Sequence, residues 1–135
     1  MSKFEKFVYK RLQAFGRPAV TITKVGMLNF NVGTMKTYVK DNDYAILYFD
    51  KDNSIVGIQF TKKKSPEAYH IRAARDGKFG AISGIAFLHY YKIPYNTTTS
   101  YFVDWDEKEQ MLVLDLKQHK KVRGVNNQIP GQERQ

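Results

Sequence analysis

The sequence predicts a mostly β, α+β fold in which two tandem hairpin–helix–hairpin repeats form one barrel-like pseudo-dimer, preceded by an amphipathic helix. Three observations lead there. The order of features in residues 26–60 recurs in 80–116: Gly26 and Gly80 open the copies at an offset of 54, and Val56 and Leu112 near their ends stand 56 apart. Most of each copy consists of short runs rich in Val, Ile, Tyr and Phe that alternate with period two or are bounded by turn residues. Between the strand pairs of each copy lies one short stretch with helical spacing.

Before the first copy, Phe4, Phe7, Val8, Leu12 and Phe15 recur at helical spacing with Lys3, Lys6, Lys10 and Arg11 between them. This pattern predicts a basic amphipathic helix over 4–14, ended by Gly16 and Pro18. Residues 1–18 therefore read as a helix and arm. Repeat 1 spans 19–61. Ala19-Val-Thr-Ile-Thr23 is a β-branched strand, and Lys24-Val-Gly26 turns it back into Met27-Leu-Asn-Phe30. Asn31 is a suitable N-cap for a helix over 32–39, whose Val32, Met35 and Val39 share a face. Asp41-Asn-Asp43 breaks that helix. In the strand 44–50, Tyr44, Ile46 and Tyr48 face one way and Ala45, Leu47 and Phe49 the other. Asp50-Lys-Asp-Asn53 is turn chemistry, and Val56, Ile58 and Phe60 alternate with Gly57 and Gln59 beyond it.

Residues 62–67 form a linker with the triplet Lys62, Lys63 and Lys64. Repeat 2 spans 68–117. Ala68-Tyr-His-Ile-Arg72 is a strand, Arg75-Asp-Gly77 a hairpin turn, and Lys78-Phe-Gly-Ala-Ile82 the return. Ser83 is expected to cap a helix carrying Ile85, Phe87 and Leu88, with Tyr91 one turn on and Pro94 as its stop. Tyr101, Val103 and Trp105 line one face of the next strand, Asp106-Glu-Lys-Glu109 turns, and Met111-Leu-Val-Leu-Asp-Leu116 closes the repeat. Residues 118–135 shift to Lys, Gln, Asn, Gly and Pro and read as a basic disordered tail.

The formal charge is +9, and its distribution says more than its sum. Residues 1–24 carry six basic side chains against one acidic, and 117–135 carry five against one. Residues 25–116 carry eleven of each and sum to zero. Basic ends on a neutral body suit a partner with a phosphate backbone. Lys24 and Lys78 each lie just before the glycine that opens their repeat, again 54 apart. Arg17, Arg72 and Arg75 belong to the same hairpins. If a pseudo-twofold relates the repeats, matched turns present matched cations, as two antiparallel backbones require. The candidate phosphate-contact residues are Arg17, Lys24, Lys62, Lys63, Lys64, Arg72, Arg75 and Lys78.

Catalytic patterns are sparse. The sequence has no cysteine, so thiol catalysis, disulfides and thiolate metal sites are excluded. His70, His89 and His119 lack metal-ligand spacing. Asp50, Asp52 and Ser54 begin like a calcium loop, but Ile55 and Thr61 occupy its glycine and glutamate positions. Asp104, Asp106, Glu107 and Glu109 read as a turn. There is no phosphate-binding glycine loop, no N-terminal apolar run long enough for a signal peptide and no apolar run able to span a bilayer, so the expectation is a cytoplasmic, non-enzymatic protein without a cofactor.

Two resemblances add to this reading. Gly16-Arg17-Pro18 resembles the centre of an AT-hook, with Phe15 where that motif has arginine; a helix stop before a strand is the plainer account of the same residues. The hairpin–helix–hairpin unit, from Leu28-Asn-Phe-Asn31 through the helix to residues 45–60, resembles the AbrB-like swapped-hairpin DNA-binding domain. That family's Ile-Pro-x-x-Ile-Arg stretch stands here as Phe30-Asn31-Val32-Gly33-Thr34-Met35, and its Gly-Asp turn as Asp41-Asn42-Asp43. Two copies in one chain resemble the tandem arrangement of MraZ-type proteins. The resemblance implies DNA binding by basic residues on hairpins and helix starts.

The functional expectation is thus a non-catalytic DNA-binding protein, a transcriptional regulator or an accessory protein of a phage or mobile element. An alternative is a protein–protein interaction module such as a viral inhibitor or assembly factor, for which exposed Tyr38, Tyr90, Tyr91 or Tyr95 would supply anchors. The same tyrosines in a basic groove would instead suit a binder of single-stranded nucleic acid. A nucleic acid, a protein partner or a second copy of the chain are the partners considered, and no membrane.

Overall fold

The computed structural model describes residues 17–118. The expected helix over 4–14 and nearly all of the basic tail lie outside the described residues. Ten strands and two short helices follow in order: β1 (Ala19–Ile22), β2 (Met27–Phe30), α1 (Val32–Thr34), β3 (Tyr44–Asp50), β4 (Ile55–Thr61), β5 (Ala68–His70), β6 (Arg72–Ala73), β7 (Gly80–Ser83), α2 (Ile85–Tyr90), β8 (Thr99–Phe102), β9 (Asp104–Asp106) and β10 (Met111–Asp115). The helix begun by α1 continues as a wider turn over Met35–Val39, closed by a bond from the Lys40 amide to the Met35 carbonyl (2.8 Å). The mostly β, α+β expectation therefore holds.

The strands form two antiparallel five-stranded sheets, ordered β6-β7-β2-β1-β8 and β5-β3-β4-β10-β9. Neither sheet closes on itself, so the barrel expected from the repeats does not form as a closed ladder. The physical reason lies at the edges. There the chain itself bends from one sheet into the other, at Ile71 between β5 and β6 and at Val103 between β8 and β9, so the edge strands follow one another end to end rather than pairing side by side. The inner faces of both sheets instead meet in one core. Val20, Ile22, Leu28, Phe30 and Ile82 come from the first sheet, and Ala45, Val56, Ile58, Leu112 and Leu114 from the second. The edge-to-face pair Phe30–Phe60, with centroids 5.6 Å apart, joins the two layers.

Two strands read as continuous in the sequence are bent. The expected strand 68–72 runs as β5 in the second sheet, crosses at buried Ile71, and continues as β6 in the first. The strand carrying Tyr101, Val103 and Trp105 likewise changes sheet at Val103. All three side chains pack on the core, so the period-two pattern survives the bend.

Most local expectations hold. Asn31 caps α1, its Oδ1 accepting from the Thr34 amide at 3.0 Å. Thr34 is fully buried, and its hydroxyl accepts from the Ala19 amide and donates to the Ala19 carbonyl, both at 2.9 Å. The helix start is thereby tied to the start of β1. The Asp50 turn closes through bonds from Asn53, and Asp106 accepts from the Glu109 amide. Ser83, however, does not cap α2. It is paired with Met27 in the β7 ladder, and the capping position falls on Gly84, with no side-chain cap bond. A Cβ on Gly84 would lie 2.5 Å from Leu28 Cδ1, so the junction has no room for a capping side chain.

Candidate nucleic-acid interface

All eight cations singled out from the sequence are exposed. Their positions follow from the ladder between β2 and β7, which pairs Met27 with Ser83 and Phe30 with Gly80. Because these strands run antiparallel, the hairpin turn before Met27 and the one before Gly80 lie at opposite ends of the first sheet. At roughly 3.3 Å per residue, Lys24 and Lys78 stand about 20 Å apart along the strands. Gly26 takes φ of +88° in the first turn and Gly77 +74° in the second, conformations that glycine adopts readily.

Arg75 and Lys78 share the β6–β7 turn, closed by bonds from Ala74 to Phe79 and from Lys78 to the Asp76 carboxylate. Arg17, just before β1, lies at that same end of the sheet, since Ala19 hydrogen-bonds at Asn31 beyond the Phe30–Gly80 pair. Its guanidinium sits 3.8 Å from the centroid of the Phe102 ring. The AT-hook resemblance therefore meets an arginine whose planar group already rests on an aromatic face. Arg72 lies on β6, the edge strand of the first sheet, at the level of Ala81. Lys24 stands at the other end, its amide donating to Thr98 Oγ1 at 3.0 Å.

The linker lysines belong to neither group. Lys62 pairs with Asp41 at 2.9 Å. The hydrogen bond from Lys62 holds the Asp41 carboxyl below its ordinary value, and the same bond raises the Lys62 amine. Both side chains are well exposed, so the pair adds little to stability. Lys63 and Lys64 have no ion-pair partner among the described residues.

One basic cluster was not read from the sequence. Lys51 from the β3–β4 turn, Lys92 after α2 and Lys117 after β10 line a cleft of about 850 Å³ with Phe49, Tyr90 and Tyr91. The three lysines lie far apart in sequence and meet only through the fold; the one legible signal is the run Tyr90-Tyr91-Lys92. The Lys117 amine binds the Asn53 carbonyl and the Asp115 carboxylate, the latter at 3.1 Å. A second cleft, of about 500 Å³, is lined by Lys24, His89, Lys92, Tyr95 and Asn96 among others. Lys92 thus stands between Lys24 and the first cleft.

The tyrosines divide clearly. Tyr38 stacks on Trp105, Tyr91 packs on Phe49, and Tyr95 shares a 2.6 Å hydrogen bond with His89. Tyr90 is 79% exposed and lies among the lysines of the first cleft. Among the described residues, no group of three or more His, Asp or Glu is placed to hold a metal ion, and no helix is long and apolar enough to cross a membrane. No protein-family model, no curated protein and no solved structure matches this chain.

Proposed function

We propose that the chain is a non-catalytic, cytoplasmic nucleic-acid-binding protein, with DNA as its partner. In this reading a tandem pseudo-dimer supplies the geometry and the basic ends supply much of the attraction. It takes the AbrB-like, MraZ-type arrangement as its frame.

The tandem part is supported by the ladders. Adding 54 to Met27 and taking 54 from its partner Ser83 gives Ala81 and Asn29, which are themselves partners. Adding 56 to Ile58 and taking 56 from Leu112 gives Leu114 and Val56, again partners. The β1–β8 ladder carries over to β5–β3 in the same way: Val20–Tyr101 corresponds to Tyr69–Ala45, at offsets of 49 and 56. Phe49 meets Tyr91, and Trp105, 56 residues after Phe49, meets Tyr38. A twofold passing between Leu28 and Ile82 in one sheet and Gly57 and Val113 in the other accounts for all of these relations.

The observation that carries the binding reading is the placement of cations on a neutral body. Arg75 and Lys78 mark one end of the first sheet and Lys24 the other, and the two highly basic segments of sequence flank the described residues. Tyr90, the exposed tyrosine that would anchor a protein partner, lines a cleft with Lys51, Lys92 and Lys117, which favours nucleic acid over the interaction-module alternative.

The test is fluorescence polarisation of a labelled duplex at low salt, with the double variant Lys24→Glu and Lys78→Glu. Expected is binding by the native chain and a loss of about tenfold or more in the double variant, at unchanged fold. A native chain that binds no nucleic acid at low salt would sink the proposal.

A further inference from the structure

We infer that the cleft between the β3–β4 turn and the end of α2 binds single-stranded nucleic acid, with Tyr90 stacking a base and Lys51 and Lys92 holding the flanking phosphates. The inference rests on the nucleic-acid reading and goes beyond it by naming the site and the form of the ligand.

The first argument is the platform. Among the described residues Tyr90 is the most exposed of the large hydrophobic side chains, yet it is not isolated. Its ring meets Tyr91 edge-on, with centroids 4.8 Å apart and planes at 88°. Tyr91 in turn packs on Phe49 and Phe87, at 5.0 and 5.3 Å. The exposed ring is therefore braced from behind by a chain of aromatics reaching into the core. A base can stack on such a platform with little reorganisation, and every base has a face to offer.

The second argument is charge. Lys51 and Lys92 have no ion-pair partner among the described residues, while Lys117 is held by Asp115 and the Asn53 carbonyl. Lys92 takes a positive φ of 55° just past the helix and lines the cleft. It also lines the neighbouring cleft with Lys24, so cations continue past the platform along a path. Leu116 and Lys117 line the first cleft immediately before residues 119–135, which carry four basic side chains and one acidic.

The third argument is asymmetry. The position 56 residues after Lys51 is Glu107, and the position 56 after Phe49 is Trp105. There the indole lies nearly parallel to Tyr38, at 12°, so its face is already taken. The position matching this cleft therefore lacks both the lysine and the open aromatic face. Duplex DNA keeps its bases stacked inside and could use the lysines alone; an unpaired strand can use the tyrosine as well. The volume, about 850 Å³, falls in the usual range of ligand clefts.

The test measures polarisation of a labelled oligothymidylate of about 12 nucleotides, and of a matched duplex, with the full chain. Three variants are compared: Tyr90→Ala, Tyr90→Phe, and the double change Lys51→Glu with Lys92→Glu. Expected is a loss of about tenfold for the single strand in Tyr90→Ala, near-native binding in Tyr90→Phe, and duplex binding within about twofold in both. The lysine variant should weaken single-strand binding and flatten its dependence on salt. If the native chain binds but Tyr90→Ala and the lysine variant match it on the single strand, the cleft is not the site and the nucleic-acid proposal stands. Equal weakening on both forms by Tyr90→Ala would also overturn the inference, because no base would be read. Binding of neither form by the native chain overturns both.

Discussion

Replacing Gly84 with alanine should destabilise the protein for a steric reason that a second substitution can relieve. Gly84 has φ of −106°, which alanine adopts without strain, so the backbone alone favours the change by about 0.4–1 kcal/mol through the unfolded chain. Against this, the new Cβ would lie 2.5 Å from Leu28 Cδ1. Leu28 is fully buried in the seam between β2 and β7, where it pairs with Ile82 and has little freedom to move. Overpacking at such a site costs roughly 1–3 kcal/mol, so the net effect should be a loss of up to about 2.6 kcal/mol. Leu28→Ala alone leaves a cavity and should cost about 2–5 kcal/mol. In the double variant the added methyl meets no Cδ1, and the losses should fall short of additivity by about 1 kcal/mol or more. Urea unfolding followed through Trp105, the single tryptophan, reads all four proteins. Additive losses, or a stabilising Gly84→Ala, would refute the proposed contact.

Other substitutions test the junctions that position the candidate surface. Thr34→Val removes a buried hydroxyl bonded to both polar groups of Ala19 and should cost about 1–3 kcal/mol in the same urea assay. Asn31→Ala removes the cap of α1 and should cost about 1 kcal/mol, seen as a lower unfolding midpoint. The Asp41 carboxyl is held below its ordinary value by Lys62, so any stability it adds is present above the ordinary carboxylate pKa and fades as pH falls through the depressed one. A carbon-detected titration should show the Asp41 midpoint rising toward its ordinary value in Lys62→Ala, with little change in stability because both groups are exposed.

The parts of the fold legible in the sequence were those set by local chemistry. Tyr44, Ile46 and Tyr48 alternate with Ala45, Leu47 and Phe49 because a strand with one buried face needs that period, and β3 appears at those residues. Asn31 was readable as a cap because its side chain serves the amide three residues on. Ser83 misled because its type suits a cap while its position in a ladder does not, and the clash at Gly84 with Leu28 depends on packing far away in sequence. The bends at Ile71 and Val103 were hidden because both residues keep the inward phase across the change of sheet. The cleft was illegible for the same kind of reason. Lys51, Lys92 and Lys117 belong to three different chain turns that only the tertiary fold brings together.

The most direct measurement of the central proposal is the slope of log K against log salt for the full chain on a short oligonucleotide. Each neutralised phosphate contributes about −0.9 on a duplex and about −0.7 on a single strand. With basic ends and several exposed lysines engaged, expected is a linear fall with a slope of about −3 or steeper. Affinity that does not change with salt, or no binding at the lowest salt, would contradict phosphate recognition as the function of this protein.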